Sequence, residues 1–259
     1  MVFLLMVFNL SDKKMTDCQG KKYQKPVVVI ACQVFQMLIE KMLVSAQVDQ
    51  IQFLDYGLHV FPKKLTEQIQ IAIDQLAEPS LVVLGYGLCG NGLAGVNSGK
   101  HTLLIPKTDD CIAILLGSRE AYQDVFSKEP GTYYLTKGWL EAGSNPLQEY
   151  NGYVEKYGQE KAEMVMDLQY QHYTRLMFIA QSHDEIEFYK TQVKDIAHFC
   201  ERWGMRYEER LGSGKYIRNL FDLLVRMSVD GGCELNLDDR EIFLVVHPNS
   251  MIAQKMFLG

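Results

Sequence analysis

The chain has no basic excess and no run of lysine and arginine longer than a pair. Its 26 basic side chains face 32 acidic ones, for a formal net charge of −6 and a pI near 5.6. A protein that tracks a phosphate backbone presents a positive face, so nucleic acid is excluded as a partner. A membrane-spanning apolar run is also missing. The apolar start, MVFLLMVFNL, is too short to cross a bilayer, with no basic segment before it and no small-residue cleavage site after it. No membrane partner and no export signal are read, and the expected compartment is the cytoplasm. Residues 1–25 read as a leader, either a disordered extension or the result of a true start at Met15. There is no repeat of fixed short period and no low-complexity stretch.

What the chain does have is a full apolar complement: 47% hydrophobic and 22% charged residues among 259. That is enough for one large domain or two smaller lobes. A core of that size needs no disulfide staples. The six cysteines, Cys18, Cys32, Cys89, Cys111, Cys200 and Cys233, are therefore expected as thiols in a reducing compartment, available for packing, metal binding or catalysis.

Strand-like and helix-like segments alternate. The runs 26–32 (PVVVIAC), 50–56, 80–87 and 101–106 read as strands, the first buried on both faces as in a parallel sheet. Segments 34–46 and 64–77 have helical spacing, and residues 111–118 open another helix. A fifth strand is expected at 131–139, followed by one long polar helix at 147–173. Strands at 175–180, 205–210 and 241–248 enclose helices at 184–203 and 215–227. This is an α/β pattern with mostly parallel sheets and flanking helices. The leading arrangement is two Rossmann-like lobes, residues 26–140 carrying the reactive cluster and residues 141–259 forming the second. The alternative is an eight-stranded α/β barrel.

The reactive residues fall at one kind of position. Cys32 ends the first strand, His59 follows the second, Cys89 the third and Cys111 the fourth. In a parallel sheet all carboxyl ends share one edge, and that edge carries the site in both candidate folds. Any one of these residues could instead be packing, since free cysteine is among the most buried residue types. Cys32 alone, inside an apolar run, reads as core. It is the shared topology of the four that points to function.

Three thiolates and an imidazole match zinc, held by sulfur and nitrogen in a tetrahedral site. An open fourth position would admit water or a substrate thiol, which the ion would hold as a nucleophile. An iron–sulfur cluster fits less well, because the tight ferredoxin spacings are missing. Cobalt in a corrinoid, reached through His59, is a further option, although the DxHxxG pattern of corrinoid sites is absent. Gly85, Gly87 and Gly90 form a GxGxxG after a strand, the pattern of a dinucleotide loop. It follows the third strand and has no clear helix behind it, so a loop shaped to present Cys89 is the preferred reading. His172, His183 and His198 read as solvent-facing or capping, Cys200 as core, and Cys18 and Cys233 as incidental. Trp139 either closes over the site or fills the core.

The order ACQVFQMLIE, LHVFPKKL, GYGLCGNGL, DDCIAILLGS and GTYYLTKGW resembles the family called domain of unknown function 1638, over most of the chain from about Pro26. The resemblance implies family positions at Cys32, Glu40, His59, Cys89 and Cys111. It also implies a setting in anaerobes near corrinoid-dependent methyltransferases, and it supplies no activity. The expected function is a metal-binding protein, with zinc the suspected ion and a corrinoid possible, in anaerobic one-carbon metabolism. It would act as a methyl or thiol transferase or an accessory, on a small thiol or methyl donor and with a corrinoid protein as a possible partner. Glu40, two turns into a helix, can be purely structural. The rival expectations are a non-catalytic metal or corrinoid carrier and a nucleotide-binding oxidoreductase using the loop Gly85–Gly92.

Overall fold

β-branched side chains pack well on a pleated surface, and runs apolar on both faces suit the middle of a sheet. The computed structural model, which describes residues 7–9, 25–42, 48–230 and 235–257, turns the apolar runs into strands accordingly. The first part of the chain forms β1 (Val7–Asn9), β2 (Val27–Cys32), α1 (Gln36–Met42), β3 (Gln50–Leu54), α2 (Pro62–Asp74), β4 (Leu81–Gly85) and β5 (Thr102–Pro106). Next come α3 (Cys111–Leu116), α4 (Arg119–Lys128), β6 (Thr132–Thr136), α5 (Lys137–Glu141), α6 (Pro146–Tyr157), α7 (Gln159–Tyr170) and β7 (Arg175–Ala180). The chain continues through α8 (His183–Cys200), β8 (Arg206–Leu211), α9 (Lys215–Asp230), α10 (Leu237–Ile242) and β9 (Phe243–Val246). The fold is mixed α/β, with mostly parallel sheets flanked by helices.

Two units result, one of Met1–Ile114 with Lys215–Gly259 and one of Leu115–Gly214. In the first, six strands lie in the order β1-β3-β2-β4-β5-β9. β3, β2, β4 and β5 are parallel, and β1 and β9 pair antiparallel at the two edges. Along the chain the four parallel strands are placed second, first, third, fourth. The direction of winding therefore reverses between β2 and β4, and at such a switch point an open α/β sheet binds its ligands. All six residues of β2 are buried, each large aliphatic contributing about 1.5–3 kcal/mol from removal of its side chain from water.

The second unit holds the all-parallel sheet β6-β7-β8. Alternate residues of β7, Leu176, Phe178 and Ala180, join Leu135 and the inner faces of α7 and α8 in one apolar core.

Several expectations are corrected here. Both sheets are open, so no eight-stranded barrel forms among the described residues. The segment 131–139 does not extend the first sheet: β6 pairs with β7 and ends at Thr136, whose hydroxyl accepts from Trp139 N and starts α5. The expected single helix at 147–173 is two, α6 and α7, because Gly158 takes φ +82° and leaves the helical region. β9, assigned by sequence to a second lobe, closes the first sheet against β5. Within the expected leader, Val7–Asn9 pairs with β3, since an unpaired strand edge is a template for any extended apolar segment. Among the described residues no helix is long and apolar enough to cross a membrane.

Candidate functional site

The site grows from two close backbone approaches at the switch point. β2 and β4 lie side by side with Ala31 opposite Gly85, and a Cβ on Gly85 would sit 2.5 Å from the Ala31 Cβ. Two residues on, a Cβ on Gly87 would lie 2.6 Å from the Asp110 carbonyl carbon. Glycine at both positions lets the loop after β4 press against the loop after β5. Leu88 N then donates to Thr108 O and Cys89 N to Asp109 O, both at 2.8 Å. The Asp110 carboxylate accepts from Ile112 N at 2.8 Å, which turns the chain into α3 with Cys111 as its first residue.

Tied in this way, Cys89 adopts φ +48°. A non-glycine residue in the left-handed region costs about 1–3 kcal/mol and persists where its surroundings over-determine it, commonly at functional sites. Here the strained residue brings Cys89 Sγ to 3.3 Å from Cys111 Sγ. Cys32, the last residue of β2, lies opposite Leu54 of β3. Two thiols thus meet beyond the ends of β4 and β5, and Cys32 ends β2 at the same edge of the sheet.

Their environment resists ionisation. Burial, then repulsion from Cys111 and from Asp55, push the Cys32 thiol far above its ordinary range. Cys89 is pushed up by its hydrogen bond to Cys111, by burial and by the neighbouring sulfurs. Both stay protonated at neutral pH. Tyr86, between the two glycines, is 2% exposed, and among the described residues its hydroxyl has no hydrogen-bond partner. Burial, followed by Cys32, Cys111, Cys89 and Asp55, holds its proton on. The Thr108 hydroxyl, on the loop facing Leu88, is a second buried polar group without a partner among the described residues.

Of the four residues singled out by sequence, Cys89 and Cys111 are in contact, and Cys32 ends β2 at the same edge of the sheet. His59 stands half-buried in the 3-10 turn Tyr56–Val60 after β3. Its Nδ1 lies 2.7 Å from Tyr56 O. A carbonyl only accepts, so Nδ1 donates this bond. Among the described residues no group of three or more His, Cys, Asp and Glu side chains is spaced to hold a metal ion. Glu40 is exposed on α1 and accepts from Gln36 Nε2 at 2.8 Å.

Gly85 and Gly87 serve the close approaches, and Gly90 takes φ +62° in the turn that follows. The Leu88 and Cys89 N–H groups are engaged by carbonyls, so these two amides do not form a phosphate cradle. Trp139 packs on the core of the second unit, and Cys200 is fully buried there. His172 and His183 are exposed, and exposed His198 lies 3.1 Å from Glu201. Cys18 and Cys233 lie outside the described residues. Sequence reasoning missed Tyr86. The available signal was an amphipathic phenol flanked by Gly85 and Gly87, one residue beyond an entirely apolar strand.

Residues 53–221 match the family DUF1638, described as a protein of unknown function. The matched span contains His59, Tyr86, Cys89 and Cys111, while Cys32 and Glu40 precede it. No curated protein and no solved structure matches the chain.

Proposed function

We propose the following reading for this chain, which belongs to the family DUF1638, proteins of unknown function. Cys89 and Cys111 bind a soft divalent metal, zinc first, with Cys32 and His59 as the further donors. The bound ion serves thiol or methyl transfer, as enzyme or accessory, in the one-carbon metabolism of anaerobes. The setting is the reducing cytoplasm, and a small thiol, a methyl donor or a corrinoid protein is the partner.

The single observation that carries the reading is the 3.3 Å between the Cys89 and Cys111 sulfurs. Two sulfurs on one tetrahedral zinc, each at about 2.3 Å, stand about 3.8 Å apart, so a small adjustment of either side chain admits the ion. The thiols hold their protons, so the ion must displace them and its uptake should strengthen as pH rises. When bound, the ion would lower the pKa of an incoming thiol and hold it as a nucleophile. A pure carrier would differ in having all four positions closed by protein donors. The nucleotide reading is weaker, because the Leu88, Cys89 and Gly92 amides of that loop already donate to backbone carbonyls.

The same distance favours one other reading, a redox dithiol. An external disulfide would accept two electrons and the two thiol protons, leaving as two thiols while Cys89 and Cys111 close to a disulfide.

Protein purified without oxygen and titrated with cobalt(II) separates the two. The metal reading expects one equivalent bound, with a thiolate-to-cobalt charge-transfer band that Cys89→Ser or Cys111→Ser abolishes. Protein that carries no metal, takes up none, and loses two free thiols on treatment with a small disulfide would overturn it in favour of the dithiol.

A further inference from the structure

Two thiols in contact are not equivalent when only one of them can be reached from outside. Cys89 is buried, and its loop is tied down: Leu88 N donates to Thr108 O and Cys89 N to Asp109 O, each at 2.8 Å. Cys111, the first residue of α3, is half-buried and follows the exposed Asp109 by two positions. The two sulfurs stand 3.3 Å apart, and a disulfide bond needs about 2.0 Å. Thiol–disulfide exchange is governed by access to the attacking sulfur and by which sulfur of the mixed disulfide is attacked next.

We infer that Cys111 is the entry thiol of a redox dithiol and Cys89 its resolving thiol. The inference rests on the dithiol reading above and involves no metal ion. Cys111 Sγ attacks one sulfur of a small external disulfide, whose S–S bond breaks. One half leaves as a thiol, taking up the proton that Cys111 gives up, and the other half stays bonded to Cys111. Cys89 Sγ then attacks Cys111 Sγ. The second half leaves as a thiol with the proton from Cys89, and the Cys89–Cys111 bond closes. Both protein sulfurs are oxidised and the external disulfide is reduced, two electrons in all. The second step is intramolecular. The two backbone hydrogen bonds between the loops hold its sulfurs close before it begins, which removes most of the entropic barrier to closure.

The test treats full-length reduced protein with 2-hydroxyethyl disulfide, quenches with acid at successive times and maps the cysteines by mass spectrometry. The unaltered protein should pass through a mixed disulfide on Cys111, not on Cys89, and end with Cys89 joined to Cys111. Cys89→Ser should accumulate the Cys111 adduct, and Cys111→Ser should leave Cys89 without one over the same time. A first adduct on Cys89 would overturn the assignment of roles and leave the dithiol reading standing. So would an adduct on Cys89 in Cys111→Ser that forms as fast as the Cys111 adduct does in the converse variant. The time course of the unaltered protein decides the order even where a serine variant does not fold. Reduced protein that forms no Cys89–Cys111 bond would overturn the dithiol reading itself and this inference with it.

Discussion

The carboxyl edge of the β6-β7-β8 sheet ends in satisfied caps, while the edge at β2 and β4 carries thiols and a buried phenol, Tyr86, whose hydroxyl has no hydrogen-bond partner among the described residues. At the first of these edges, Thr136 accepts from Trp139 N and Ser182 from Glu185 N, and the Glu185 carboxylate in turn accepts from Gln181 N at 3.1 Å. Gly212 N donates to Ala180 O at 2.8 Å, and Ser213 N to Leu115 O at 2.9 Å. Even the buried cation of that unit, Arg175, is matched, by Thr132 at 3.0 Å and Glu208 at 2.9 Å. The two sheets are built from the same strand–loop–helix units. They differ in winding, because β6, β7 and β8 follow one another across the sheet without reversal. The first sheet reverses between β2 and β4, and among the described residues the hydroxyls of Tyr86 and Thr108, on the loops that follow β4 and β5, have no partner.

The comparison can be broken most forcefully at the glycines. Gly87→Ala drives a Cβ to 2.6 Å from the Asp110 backbone, and we expect it to cost about 3 kcal/mol in overpacking while separating Cys89 from Cys111 and abolishing cobalt binding. Gly212→Ala in the second unit meets Leu115 O at 2.5 Å. It should destabilise comparably in chemical denaturation and leave cobalt binding untouched. Equal loss of metal in both variants would show that the site depends on general stability.

The cysteines sharpen the contrast further. Cys200 is fully buried in the core of the second unit. Cys200→Ser should cost about 2 kcal/mol for a poorly partnered hydroxyl, with cobalt stoichiometry unchanged. Burial pushes the Cys200 thiol from its ordinary 9.0 up to about 12. A raised thiol pKa means the folded state holds its proton longer than the unfolded chain. That contribution is full below pH 9 and fades as pH rises toward 12. Denaturation curves of the serine variant should therefore fall less steeply over that window than those of the unaltered protein, and parallel curves would refute the assignment. The smallest effect is expected at the outer edge. Removing residues 1–14 deletes β1 and its pairing with β3, and a three-residue edge strand should be worth below about 1 kcal/mol. A larger drop in melting temperature would mean that the segment packs on the core.

Much of the fold is legible from local pattern. The valine run at 27–31 and the runs at 81–84 and 102–105 are apolar on both faces, and a segment of that kind is stable only inside a covered sheet. Alternation with amphipathic segments then makes the α/β class a consequence. The positions of Cys32 at the end of its strand and of Cys89 and Cys111 in the loops after theirs are legible for the same reason. The break at Gly158 was not, because glycine in a polar helix carries no sign of whether its freedom is used. The sheet to which β6 belongs was equally hidden, because TYYLT is as good an edge for one parallel sheet as for another.

The sequence by itself determined the elements, the class and the edge at which the reactive side chains emerge, because periodicity and the one-sided ends of parallel strands are local properties. Only the tertiary structure decided which of them meet. Strand order placed β4 beside β2 and reversed the winding there. The bare α-carbons of Gly85 and Gly87 allowed two backbones to touch, and that contact brought Cys89 to Cys111 and enclosed Tyr86. Contacts between residues 22 positions apart depend on chain packing across the sheet, which no local pattern encodes.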